Sequence, residues 1–210
     1  AHLLLAQGRT EEARELLRTT RTGSAAERTQ LILTEAQLLR EAGRGDESYA
    51  LLESALANNP DNLELLYEPA LAADRQGKPE VTEKHLRRLL ALKPDHAHGL
   101  NALGYSFADR NMRLAESYDL IARAVALAPD DPFIMDSMGW VLFRQGRLPE
   151  ALATLEKAYA LRPDPEIAIH LGEVLWTMGR KDEAARFLKE AAGKCPDSEV
   201  LAAALKKFRP

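Results

Sequence analysis

Pro60, Pro94, Pro129, Pro163 and Pro196 recur at intervals of 34, 35, 34 and 33 residues, and Asp follows every one of them. Two further series keep phase with the prolines. Gly8, Gly43, Gly77, Asn111, Gly146 and Gly179 mark a turn; Ala13, Ser48, Thr82, Ser117, Ala151 and Ala184 set a small residue shortly after it. Three phased series along one chain mean that a single supersecondary unit is copied, each copy burying its apolar face against its neighbours.

Between successive prolines lie two apolar-periodic segments of about a dozen residues each, both of helical spacing. Gly at the turn supplies the left-handed backbone that ends the first helix, and Asn111 is the next most tolerant residue there. Small residues midway along the first helix (Gly104, Gly139) and the second (Ala151, Ala184) let the two approach where they cross. Ala55, Ala124, Ala158 and Ala191, late in the second helix, leave room for the next copy. Pro then stops the helix, and the Asp after it is expected to cap the next one. In "DNLE", Asp61 with Glu64 reads as a capping box; "DP" at 131–132 and 164–165 puts Pro at the first helical position. Two departures stand out. Pro69 falls inside a first helix where Leu is usual, which predicts a kink or bulge. Glu35 takes the equivalent, buried-looking position one copy earlier.

The charge balance excludes several functions. Net charge is −4 with the two signs interspersed, so no basic footprint for nucleic acid exists. Cys195 is the only cysteine, which excludes an intrachain disulfide framework and a multi-cysteine metal site. No apolar run reaches the roughly 18 residues of a membrane span. The chain starts "AHLLLAQGR", inside a repeat and without Met, and reads as a fragment with room upstream for a targeting segment.

Catalytic constellations are equally thin. His96 and His98 in "DHAHG" fall on different helix faces. His170 and Glu173 share a face, but one such pair makes no metal site. A Ser137–His170 nucleophile would need an orienting acid and an oxyanion hole. No phosphate-binding Gly loop and no zincin motif occur. The sequence therefore predicts a protein that is not an enzyme, with no catalytic residues, cofactor or metal.

A 34-residue helix–turn–helix with these small residues and a closing Pro resembles the tetratricopeptide repeat. "LGYSFADRN…AESYDLIARAVALAP" and "MGWVLFRQGRLPEALATLEKAYALRP" carry the pattern best. The resemblance implies one all-α, right-handed superhelical solenoid over 1–210. Its repeats run about 1–27 (partial), 29–62, 63–96, 97–131, 132–164 and 165–198. A capping helix follows at 198–210, "EVLAAALKKFRP", with Leu201 and Leu205 inward and Lys206, Lys207 and Arg209 outward. First helices of such repeats line a concave groove. The stripe expected to face it reads Gln30, Leu33, Gln37, Arg40, then Glu64, Tyr67, Leu71, Asp74, and continues through the later repeats. There His98, Asn101, Tyr105, Phe133, Asp136, Trp140, Phe143, Ile169, Glu173 and Trp176 are the candidate residues for binding a protein or peptide. The aromatics are the expected anchors and His98, Asn101 and Asp136 the polar contacts, while Met135, Met138, Gly139 and Leu142 pack. With Glu64, Asp74, Asp136, Glu166 and Glu173 on this stripe, a clamp for acidic C-terminal tails is disfavoured.

Three segments, "HGLNALGYSFADR", "DPFIMDSMGWVLFRQGR" and "PEIAIHLGEVLWTMGRKDEA", resemble the C-terminal repeats of large tetratricopeptide lipoproteins of the Gram-negative outer membrane. The best-known kind is an adaptor that binds a periplasmic C-terminal processing protease and delivers cell-wall hydrolases to it. Over residues 97–205 this resemblance implies a periplasmic protein anchored by an upstream lipid; no nucleic-acid partner is expected, and no membrane contact by the chain itself. The alternatives are an accessory domain of a larger enzyme and a cytoplasmic peptide-binding chaperone module.

Overall fold

The computed structural model describes residues 1–195 and 199–207, so Pro196 and Arg209, and the side chain of Lys207, lie outside the described part. Among the described residues every regular element is an α-helix. The chain forms two compact units, Ala1–Pro94 and Asp95–Pro210.

The first unit holds α1 (His2–Ala6), α2 (Thr10–Thr19), α3 (Ala25–Glu41), α4 (Gly45–Asn58), α5 (Leu63–Arg75) and α6 (Pro79–Leu92). Its core gathers Ala13, Leu17 and Leu38 near α2, then Ala36, Leu52 and Ala72, then Leu56, Leu65, Leu66 and Leu89. Where helices of a pair cross, Ser48 Oγ donates to the Ala36 carbonyl at 2.7 Å and Thr82 Oγ1 to that of Ala70 at 3.2 Å. The Ser and Thr of the small series thus tie α4 to α3 and α6 to α5. Glu35 is buried, and its charge is met by Arg14 at 3.0 Å and Arg18 at 2.7 Å. Pro69 is buried inside α5, which runs as α-helix from Leu63 to Arg75 without the expected bulge. The missing Pro N–H costs one bond inside a helix that packing holds together.

The second unit holds α7 (Ala97–Asp109), α8 (Leu114–Leu127), α9 (Pro132–Arg144), α10 (Leu148–Leu161), α11 (Pro165–Thr177), α12 (Lys181–Lys194) and α13 (Glu199–Lys207). First helices α7, α9 and α11 lie side by side, each against its own second helix. A Cβ on Gly104 would come within 2.6 Å of Ile121 and 3.0 Å of the Ser117 carbonyl; on Gly172 it would meet Leu188 at 2.7 Å. At these two crossings α8 and α12 leave no room for a side chain on the first helix. Among the turn residues, Asn111 is left-handed at φ 54°, as expected, and Arg113 at φ 45° joins it.

The caps correct one detail. Asn62, His96 and Asp131 cap their helices, each one residue beyond the Asp that follows Pro, and among the described residues only Asp164 caps directly after its proline. The capping box expected of Asp61 and Glu64 is absent; Glu64 accepts from Gln30 instead, at 3.0 Å. A true box forms at Ser24 and Glu27, which the repeat pattern did not flag. At the other end, α13 turns Leu201 and Ala204 inward, packed with Ala168, Ile169, Leu188 and Ala191. Leu205, expected inward, is 43% exposed, because the helical phase gives its place to Ala204.

Candidate functional site

The face formed by α7, α9 and α11 carries all ten candidate residues, and it divides them into two sets. His98 and Phe133 are exposed; Asn101, Tyr105, Phe143 and Trp176 are half-buried. Asp136, Trp140, Ile169 and Glu173 are buried at 5, 3, 1 and 6% exposure, which corrects the expectation that they stand open to a ligand.

Each correction has a physical cause. Ile169 lies beneath the terminal helices, in one cluster with Leu201 and Ala204. Asp136 is occupied by His170: the imidazole Nδ1 stands 2.9 Å from both carboxylate oxygens, joining α9 to α11. Trp140 stacks on that imidazole, centroids 4.3 Å apart and planes 21° apart, with Phe143 at 5.2 Å and the Arg144 guanidinium 5.5 Å from its centroid. Tyr105 reaches the same imidazole from α7 at 6.3 Å. The centre of this face is a packed polar–aromatic stack rather than an open strip.

Burial disfavours charge on His170, but Asp136 outweighs it by charge and hydrogen bond, with help from Glu166 and Glu173, and holds the imidazole above its ordinary pKa. Asp136 thus favours the imidazolium form of the ring it clasps. Glu166 behaves oppositely. The protein around it pushes its carboxyl above the usual range; His170 opposes, while Asp136, Asp164 and Asp109 add to the push.

The orienting acid that a Ser137–His170 pair would need is present, as Asp136. Ser137 Oγ, however, donates to the Phe133 carbonyl at 3.1 Å, so no nucleophile is presented to the imidazole. Among the described residues no group of three His, Cys, Asp or Glu side chains is placed to hold a metal ion.

The periphery of the face is where a ligand has access. Phe133 is 41% exposed with the Arg162 guanidinium 4.9 Å from its ring centroid, and Lys181 covers Trp176 at 5.1 Å. His98 sits 4.0 Å from Asp131, the cap of α9. Two buried atoms have no hydrogen-bond partner among the described residues, Asn101 Oδ1 and Trp140 Nε1. In the first unit, the residues read as its stripe do meet: Gln30, Leu33, Gln37 and Arg40 line a cleft of about 140 Å³ with Glu68. That unit also has a second, larger cleft of about 480 Å³ beside α4 and α6, where His85 meets Glu53 at 2.8 Å and Arg88 meets Asp61 at 2.6 Å.

Sequence reasoning missed His170 as the partner of Asp136. The signal was available: the two are one period apart, which sets them at neighbouring heights on adjacent first helices.

Comparison with known proteins agrees with this architecture. A tetratricopeptide repeat family model matches residues 33–81, 67–132 and 137–199, and a second matches 1–19. "TPR repeat-containing protein PA4667" of Pseudomonas aeruginosa is 40% identical over 166 residues, 79% of this chain. The chain spans 28% of that relative's length. Among solved structures, the tetratricopeptide protein TTC0263 of Thermus thermophilus is 27% identical with a TM-score of 0.73, covering 84% of this chain and 98% of that one. MamA from Desulfovibrio magneticus shares the fold at 19% identity and a TM-score of 0.61, covering 80% of this chain and 97% of that one. The phased helix pairs, the crossings at small residues and these matches say the same thing: the chain belongs to the tetratricopeptide repeat family.

Proposed function

We propose that this chain is a non-catalytic protein-binding module that offers its α7–α9–α11 face to a segment of a partner protein. Tetratricopeptide repeat proteins generally serve as protein-interaction scaffolds. The observation that carries the reading for this chain is the contrast within one face. Its centre is fixed by the Asp136–His170–Trp140 stack, while Tyr105, Phe133 and Trp176 keep aromatic surface at its edge. Aromatic anchors held on a rigid support are what a binding surface needs, since little entropy is lost on docking.

The finer reading is an adaptor in the Gram-negative periplasm, part of a lipid-anchored protein, that binds a C-terminal processing protease and brings cell-wall hydrolases to it. Its support is the resemblance of residues 97–205 to lipoproteins of that kind. The test is capture from a Gram-negative envelope extract by the wild-type chain and by a Tyr105→Ala, Phe133→Ala, Trp176→Ala variant shown to be folded by circular dichroism. Recovery of a processing protease or a cell-wall hydrolase by the wild type alone supports adaptor and face together. Equal recovery by both moves the contact elsewhere on the chain. Recovery of neither enzyme removes the adaptor reading.

A further inference from the structure

Resting on the reading that the α7–α9–α11 face binds protein segments, we propose that it selects segments bearing lysine or arginine, whose cation sits against Glu166 and Asp109. The charges of this face do not cancel. Asp109 closes α7, Asp136 lies within α9, and Asp164, Glu166 and Glu173 belong to the start and middle of α11. The cations nearby are engaged: His170 with Asp136, Arg144 with the Asp109 main-chain carbonyl at 3.1 Å, and Arg162 over Phe133 and 3.9 Å from Asp164. The exposed carboxylates of Glu166 and Asp109 have no ion-pair partner among the described residues.

The surface is more than a group of acids. Trp140, 3% exposed and stacked on His170, keeps its Nε1 without a partner, and the amide oxygen of Asn101 is likewise unmet. Buried donors and acceptors normally find partners, so these two atoms are hydrogen-bonding capacity that the described residues leave unused. Tyr105 and exposed Phe133 add ring faces on which the methylenes and charge of a lysine or arginine pack. The raised Glu166 carboxyl has the same meaning. The protein around it and three neighbouring aspartates disfavour its charge more than His170 relieves it, and an added guanidinium or ammonium would reverse that balance. An acidic segment would add to the repulsion instead.

The test is selection of random dodecapeptides on the immobilised 210-residue chain, followed by titration of the selected peptides by fluorescence anisotropy. The expected result is enrichment of Lys and Arg. Glu replacing the cation in a selected peptide should abolish binding, and Glu166→Gln with Asp109→Asn should weaken it about five-fold or more, an effect that shrinks at high salt. Enriched peptides without excess Lys or Arg, bound as well by the Gln/Asn variant, would overturn the charge preference and leave the face intact. Peptides that bind equally to Tyr105→Ala, Phe133→Ala would overturn the face itself, and the preference with it.

Discussion

Asp136 and His170 stand one repeat apart in sequence and touch in space, imidazole Nδ1 2.9 Å from each carboxylate oxygen, both side chains nearly sealed from solvent. A charge this deep tolerates little interference, since its partner cannot be replaced by water. Asp136→Ala should therefore destabilise the second unit by about 3 kcal/mol or more, because it strands the imidazole. His170→Leu should cost a similar amount, and the two together less than their sum. Urea unfolding followed by circular dichroism across the double-mutant cycle measures the coupling.

The same clasp makes stability depend on pH in a defined direction. The folded pKa of His170 is raised above its unfolded value, so the pair contributes fully below the unfolded pKa and fades as pH rises through the folded one. The difference in melting temperature between wild type and His170→Asn should be largest below the ordinary imidazole pKa of about 6.5 and shrink as pH rises above it. A difference that grows with pH would mean that the imidazole is held neutral.

Gly104 tests the crossing of α7 with α8. An added methyl would press on Ile121 and on the Ser117 main-chain carbonyl, and the carbonyl cannot swing aside. Gly104→Ala is expected to cost about 1–3 kcal/mol despite its better helix propensity. Gly8→Ala meets no atom, so its smaller loss, about 1 kcal/mol, would come from the left-handed turn alone. Thermal unfolding of both variants separates clash from backbone.

Glu35 is the buried acid of the first unit, answered by Arg14 and Arg18. Arg14→Ala with Arg18→Ala leaves that charge alone and should cost about 3–5 kcal/mol. Glu35→Leu installs the residue found at the matching positions 103 and 171 and, because Arg14 keeps Glu11 and Glu47, is expected to cost less than the double arginine variant. Chemical denaturation reports both.

Most of the helical frame was legible because backbone constraints repeat. Five glycines and Asn111 really do occupy left-handed turns, and the small residues really do mark the crossings. Caps were misread by one residue because Asp61 and Asn62, or Asp130 and Asp131, offer the same chemistry at adjacent positions, and which one caps depends on where the turn after proline lands. The candidate site was half legible. Helical phase placed Tyr105, Phe133, Asp136 and Trp140 on one face, but phase says nothing of a partner arriving from another helix. His170 turned Asp136 and Trp140 into supports, and α13 did the same to Ile169.

The cover that α13 lays over Ile169 also bears on how the molecule comes apart. Repeats that lean only on their neighbours unzip from their ends, and the outermost contact sets how often an end opens. With Leu201 and Ala204 seated on α11 and α12, Ile169 and Ala168 are shielded by one helix of nine residues. Lifting that helix would bare Ala168 and Ile169 before it disturbed the Asp136–His170 clasp one layer further in.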